Sequence, residues 1–185
     1  MNKRIIILAI STLALFSCSA IKEAITVPVN TSLSVDVPVS VNVTKSAGLS
    51  DKAGTIYSFT AEKVLQVADN VDVKSYINKL KSVDLKGVTV TIVTLNGTEE
   101  VLTLDVSVSG ISGPIFSKTN ITATNNNPFS PVIAATVQTQ INLVAAKILA
   151  DRQLTITVSG TTNAAPLSLT AKLAFDARFI CMPLN

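Results

Sequence analysis

The feature that most constrains this chain is strict alternation of apolar and polar residues over two long stretches. In residues 25–43 the apolar set is Ile25, Val27, Val29, Leu33, Val35, Val37, Val39, Val41 and Val43, with Thr26, Asn30, Ser32, Ser34, Asp36, Ser40 and Asn42 between them. Near the other end Leu167, Leu169, Ala171, Leu173, Phe175, Ala177 and Phe179 repeat the pattern. A period of two places successive side chains on opposite faces of a strand, so each stretch has one dry face that another layer must cover. Pro28 and Pro38 fall on the polar parity. Proline has no N–H to give to a ladder, which assigns part of the first stretch to a sheet edge or to a bend. A turn near Asn30 to Ser32 divides it into two strands.

The rest of the chain reads as further strands and two helices. Residues 55–67 form a strand with Tyr57, Phe59, Leu65 and Val67 on one parity, and Asp69 to Asp72 then introduce a short helix whose stripe is Val73, Ile77 and Leu80. Val88, Val90 and Ile92 share even parity with Leu102, Leu104, Val106 and Val108. A three-residue loop, Leu95-Asn96-Gly97, keeps both sets on one face and predicts a bulged hairpin. Residues 115–124 form a weaker strand. Ser130 as N-cap and Pro131 at the first helical position open a second helix, with Ile133, Val137, Ile141, Val144 and Ile148 on one face. Leu154, Ile156 and Val158 begin the closing pair of strands. The expected fold is mainly β, a β-sandwich or strongly curved antiparallel sheet of about eight strands, with two packed helices.

The first residues have a different character. Lys3 and Arg4 precede the apolar run 5–16, and small residues follow, which is the three-part layout of a secretory signal. The run is shorter than the roughly 20 apolar residues a helix needs to cross a bilayer. Leu15-Phe16-Ser17-Cys18 resembles the lipobox of bacterial lipoproteins, where an apolar residue stands three before the cysteine and a small residue precedes it. The resemblance covers the leader alone. It implies a signal peptide over residues 1–17, lipid on Cys18, a tether over 18–24 and a single β-rich domain over 25–185. It also implies a protein of the cell envelope anchored by acyl chains rather than spanning the membrane. Ser19 differs from the aspartate that retains enteric lipoproteins at the inner membrane, so the outer membrane is favoured.

Composition agrees with such a reading once the leader is set aside. The formal charge of +3 includes Lys3 and Arg4, and without them it falls to +1. Nucleic acid, whose phosphates demand a clustered basic surface, is not an expected partner. The remaining basic residues are scattered, with one loose group at Lys74, Lys79, Lys81 and Lys86. With Cys18 acylated, Cys181 has no disulfide partner and reads as a small buried hydrophobe.

Residues suited to catalysis are sparse. The chain contains no histidine, which removes the usual general base, the histidine-based triads and imidazole metal ligands. Glu99 and Glu100 are adjacent acids, but neighbours on a strand point to opposite faces. Asp69, Asn70 and Asp72 offer oxygens without the spacing of a calcium loop, and helix capping is the simpler role. No phosphate loop, zinc spacing or nucleophile elbow is present, so no cofactor, metal or catalytic residue is expected. The loop Asn125, Asn126, Asn127 and Phe129 is the candidate contact surface. The expected function is that of a lipid-anchored, non-enzymatic binding or structural module with an unspecified protein, glycan or lipid partner. The alternative is a carrier of a hydrophobic, lipid-like ligand, with room left by Ala134, Ala135, Ala145, Ala146, Ala171, Ala174 and Ala177.

Overall fold

The computed structural model describes residues 25–42, 55–93, 95, 100–122 and 135–183. They form a β-sandwich of two antiparallel sheets. The strands are β1 (Val27–Val41), β2 (Tyr57–Gln66), β3 (Leu80–Val93), β4 (Glu100–Val108), β5 (Phe116–Thr122), β6 (Gln153–Thr162) and β7 (Leu167–Cys181). One sheet has the order β1-β7-β3 and the other β2-β6-β4-β5. Helix α1 (Ala135–Asp151) and two short 3-10 turns, Val67–Asp69 and Lys74–Lys79, complete the described elements.

The alternation in the sequence sets the core. From Leu33 to Val41 the odd residues of β1 are buried and the even ones exposed. In β7 the odd residues from Leu167 to Cys181 are all buried. β7 is the central strand of its sheet, and β1 pairs along its whole length with it, from Val27 opposite Cys181 to Val41 opposite Leu167. Each fully buried Leu, Ile or Phe is worth about 1.5–3 kcal/mol relative to its exposed state, so these two strands anchor the fold.

Helix α1 buries Ile141, Val144, Ala145 and Ile148 and packs against β3 and β6, one strand from each sheet. The stripe expected from the sequence is therefore the one used, as far as it falls on described residues. Val137 joins it at the rim of the core.

Three expectations need correction. The turn at Asn30 to Ser32 does not form: Asn30, Thr31 and Ser32 pair in register with Arg178, Ala177 and Asp176, and β1 is one strand of 15 residues. Seven strands among the described residues replace the expected eight for this reason. The short helix before Leu80 is a 3-10 turn, and Leu80 belongs to β3. Finally, β3 and β4 are not a hairpin. They lie in different sheets, β3 beside β7 and β4 between β6 and β5. Val88, Val90 and Ile92 of β3 and Leu104, Val106 and Val108 of β4 face the core from opposite sides of the sandwich, whereas Leu102 falls at the slip between Val101 and Thr103 and Val101 is buried in its place.

The open strand edges are each blunted. β1 carries Pro28 and Pro38; they are ten positions apart, so their nitrogens point to the same side of the strand, the side away from β7. β3 has two irregularities against β7, between Leu80 and Ser82 and between Leu85 and Gly87, and the extra residue is a lysine each time, Lys81 and Lys86. A bulge twists an edge and a lysine makes it costly to cover. β5 carries exposed Lys118 and, at Asn120, a left-handed backbone with φ of 55°. β2, the remaining edge, lies beside β1 without a ladder between them.

Candidate functional site

The most developed polar feature lies where β1 meets the end of β2. The first 3-10 turn follows β2 directly, and the chain then passes back across the edge of β1. There Asn70 donates from Nδ2 to the Ser32 carbonyl (3.1 Å) and to Thr31 Oγ1 (3.1 Å). Thr31 Oγ1 in turn donates to Asp72 Oδ2 (2.7 Å), and the Asp72 N–H donates to Asn70 Oδ1 (3.0 Å). Ser32 has the parity of Pro28 and Pro38, so its carbonyl points to the unpaired edge; the Asn70 amide satisfies it there.

Above this clasp lies a cleft of about 240 Å³ lined by Ser32, Leu33, Ser34, Leu65, Gln66, Asp69, Asn70 and Val71. It is smaller than the roughly 300–1,000 Å³ of pockets that enclose drug-sized ligands. Val71 is 72% exposed at its rim. Thr31 donates to the Asp72 carboxylate and accepts from Asn70, and both partners serve to hold the turn region against β1.

The structure assigns other roles to several residues singled out from the sequence. Asp69, Asn70 and Asp72 do not cap the turn Lys74–Lys79. Its N-cap is Val73, with no side-chain hydrogen bond. Asn70 and Asp72 instead fasten the turn region to β1, a pairing across some 40 residues that local sequence cannot reveal. Among the described residues no group of three or more His, Cys, Asp or Glu is placed to hold a metal ion. Glu100 opens β4: its N–H donates to Asn163 Oδ1 (3.0 Å) and its carbonyl accepts from the buried Thr162 hydroxyl (2.8 Å). Glu99 lies outside the described residues, as do Cys18 and the loop Asn125, Asn126, Asn127 and Phe129.

Cys181 is fully buried on the inner face of β7, and desolvation raises its thiol pKa above the ordinary 9.0. It packs as a small hydrophobe. Arg152, which belongs to no sequence motif, adopts a left-handed backbone (φ 58°) immediately after α1. Its N–H donates to the Ile148 carbonyl (3.0 Å) and its carbonyl accepts from the Val67 N–H (3.0 Å). Its Nε donates to the Ile77 carbonyl (3.0 Å). One residue thus ties α1 to both 3-10 turns.

No protein-family model matches the chain, and no curated protein matches it. Among solved structures, a chain of Desmodium yellow mottle tymovirus aligns over 85% of this chain and 91% of its own length, at 11% identity and a TM-score of 0.37. A likeness that weak supports no inference about fold or function.

Proposed function

We propose that this protein is an exported lipoprotein, acylated on Cys18, whose β-sandwich serves the cell envelope as a non-enzymatic binding or structural module. The observation that carries the reading is the order Lys3-Arg4, apolar run, Leu15-Phe16-Ser17-Cys18 at the start of the chain. The position of the sandwich is compatible with it. All described strands lie between Val27 and Cys181, so none draws on residues upstream of Cys18. The outer membrane remains the favoured location on the strength of Ser19.

The absence of histidine, and with it of the usual general base, favours binding or scaffolding over catalysis. The carrier alternative has less support. Of the small residues it invoked, Ala146 is exposed on α1 and Ala174 lies on the outer parity of β7. Ala145, Ala171 and Ala177 are buried, which close packing of helix and sheets explains equally well.

Fractionation of cells producing the natural chain and C18A tests the proposal. The natural chain is expected with the membranes and is released by detergent but not by high salt. C18A is expected to lose that attachment or to retain its leader. Equal distribution of the two would overturn the anchor.

A further inference from the structure

We infer that the Asn70 clasp guards the edge of β1 against pairing with a second copy of this chain. An edge strand presents unpaired N–H and C=O groups, to which another strand can add. The only strand paired with β1 is β7, so its even residues turn their backbone groups outward, as the Asn70 bond to the Ser32 carbonyl shows. Pro28 and Pro38 remove the donors at two points of that row. Between them stand Asn30, Ser32, Ser34 and Asp36, each with a backbone donor and acceptor.

This stretch of edge is self-complementary. Pro28 and Pro38 lie five positions to either side of Leu33. Antiparallel pairing with a second copy centred on Leu33 therefore sets proline opposite proline at both ends. Between the prolines, Asn30 falls opposite the copy's Asp36 and Ser32 opposite the copy's Ser34, and each such pair can exchange two backbone hydrogen bonds. Asp36 meets an asparagine and not a second carboxylate, so no like charges oppose one another across the pair.

Asn70 stands in the way of that pairing. Its Nδ2 lies 3.1 Å from the Ser32 carbonyl oxygen, an ordinary ladder distance, and so takes the place of the N–H that the copy's Ser34 would bring. The contact of Nδ2 with Thr31 Oγ1 and the bond from Thr31 to Asp72 hold it there. Among the described residues, Asn70 is the one group bonded to this outward row. Because the pairing is two-fold, the Asn70 of each copy obstructs one of the two central Ser32 and Ser34 pairs.

Disulfide trapping between copies of the full chain in detergent tests the guard. Chains carrying S32C are mixed with chains carrying S34C, and linked peptides are identified by mass spectrometry. Directly opposite residues of such a pair have Cα atoms about 5.5 Å apart, within disulfide reach. With N70A in both partners, a link between positions 32 and 34 is expected; T31V, which loosens Asn70 without removing it, gives less of the same link. Chains that keep Asn70 give none, and neither do R152A chains, which lose a contact elsewhere in the fold. Adding D36P to the N70A chains withdraws another donor from the row and abolishes the link. Mixing S32C with S40C, which are not opposite in this register, gives none. No 32–34 link in either N70A or T31V overturns the guard. So does a link of equal yield in natural or R152A chains, between positions 32 and 40, or in the presence of D36P.

Discussion

The ring of Phe59 occupies the space that a side chain at Gly160 would need. Phe59 on β2 pairs with Gly160 on β6, and a Cβ added at position 160 would lie 2.7 Å from Phe59 Cζ and 2.0 Å from the Thr103 carbonyl oxygen. On the other side of β6, the β4 register slips between Val101 and Thr103. The glycine therefore lets the aromatic ring and the bulged backbone of β4 approach the same strand. G160A is expected to cost about 1–3 kcal/mol or somewhat more, because the obstructing Thr103 atom is backbone and cannot rotate away. A urea melt is the check, and an unchanged midpoint would contradict this account of the site.

Asn70 is expected to matter to stability rather than to any chemistry. N70A removes the donors to Thr31 and to the unpaired Ser32 carbonyl, with an expected loss of about 1–2 kcal/mol. N70D should lose more, since it sets an acceptor where a donor faced the carbonyl. Denaturation of the two variants side by side separates them.

Much of the sandwich was legible from alternation, and the misreadings share physical causes. Period two reports that a strand has a dry face, which is why β1, β6 and β7 were found. It does not report which sheet that face belongs to. Val88 to Ile92 and Leu104 to Val108 share a parity because each set faces the core, and they face it from opposite sheets. The buried residues at the start of β3 run Leu80, Leu85, Val88, with half-buried Val83 between, so the spacing is three, two, three. Bulges at Lys81 and Lys86 create that spacing, whereas the helix-like stripe of Val73, Ile77 and Leu80 spans the boundary between the 3-10 turn and the first residue of β3. Asn30 to Ser32 carry turn-forming side chains, but pairing with β7 overrode local preference. Of the candidate site, only the residue types of Asp69, Asn70 and Asp72 were visible. Their partners on β1 lie too far away in sequence to be inferred.

Arg152 supplies a third prediction. Its left-handed backbone follows the last turn of α1, a position where glycine is the usual residue. R152A loses the Nε bond to the Ile77 carbonyl and keeps the unfavourable backbone. R152G loses the same bond and relieves the backbone, so it should be the more stable of the two by about 1 kcal/mol. Thermal melts of the pair provide the comparison, and R152A at or above R152G would contradict it.

The buried thiol of Cys181 gives a pH dependence with a definite sign. Burial raises its folded pKa above 9.0, so the unfolded chain loses the thiol proton first as pH rises. The contribution is fully present below the unfolded pKa and is lost as pH climbs from there through the folded pKa. Stability of the natural chain should therefore fall more steeply above about pH 9 than that of C181A. Urea titrations of both proteins across that window read the difference, and parallel curves would argue against it.

The central claim is that Cys18 becomes the first residue of an acylated chain. Mass spectrometry of the N-terminal peptide from protein extracted out of its native membranes tests it most directly. The account predicts that residues 1–17 are missing and that a peptide beginning at Cys18 carries the added mass of acyl chains. A peptide beginning elsewhere, or an unmodified Cys18 in membrane-extracted protein, would contradict it.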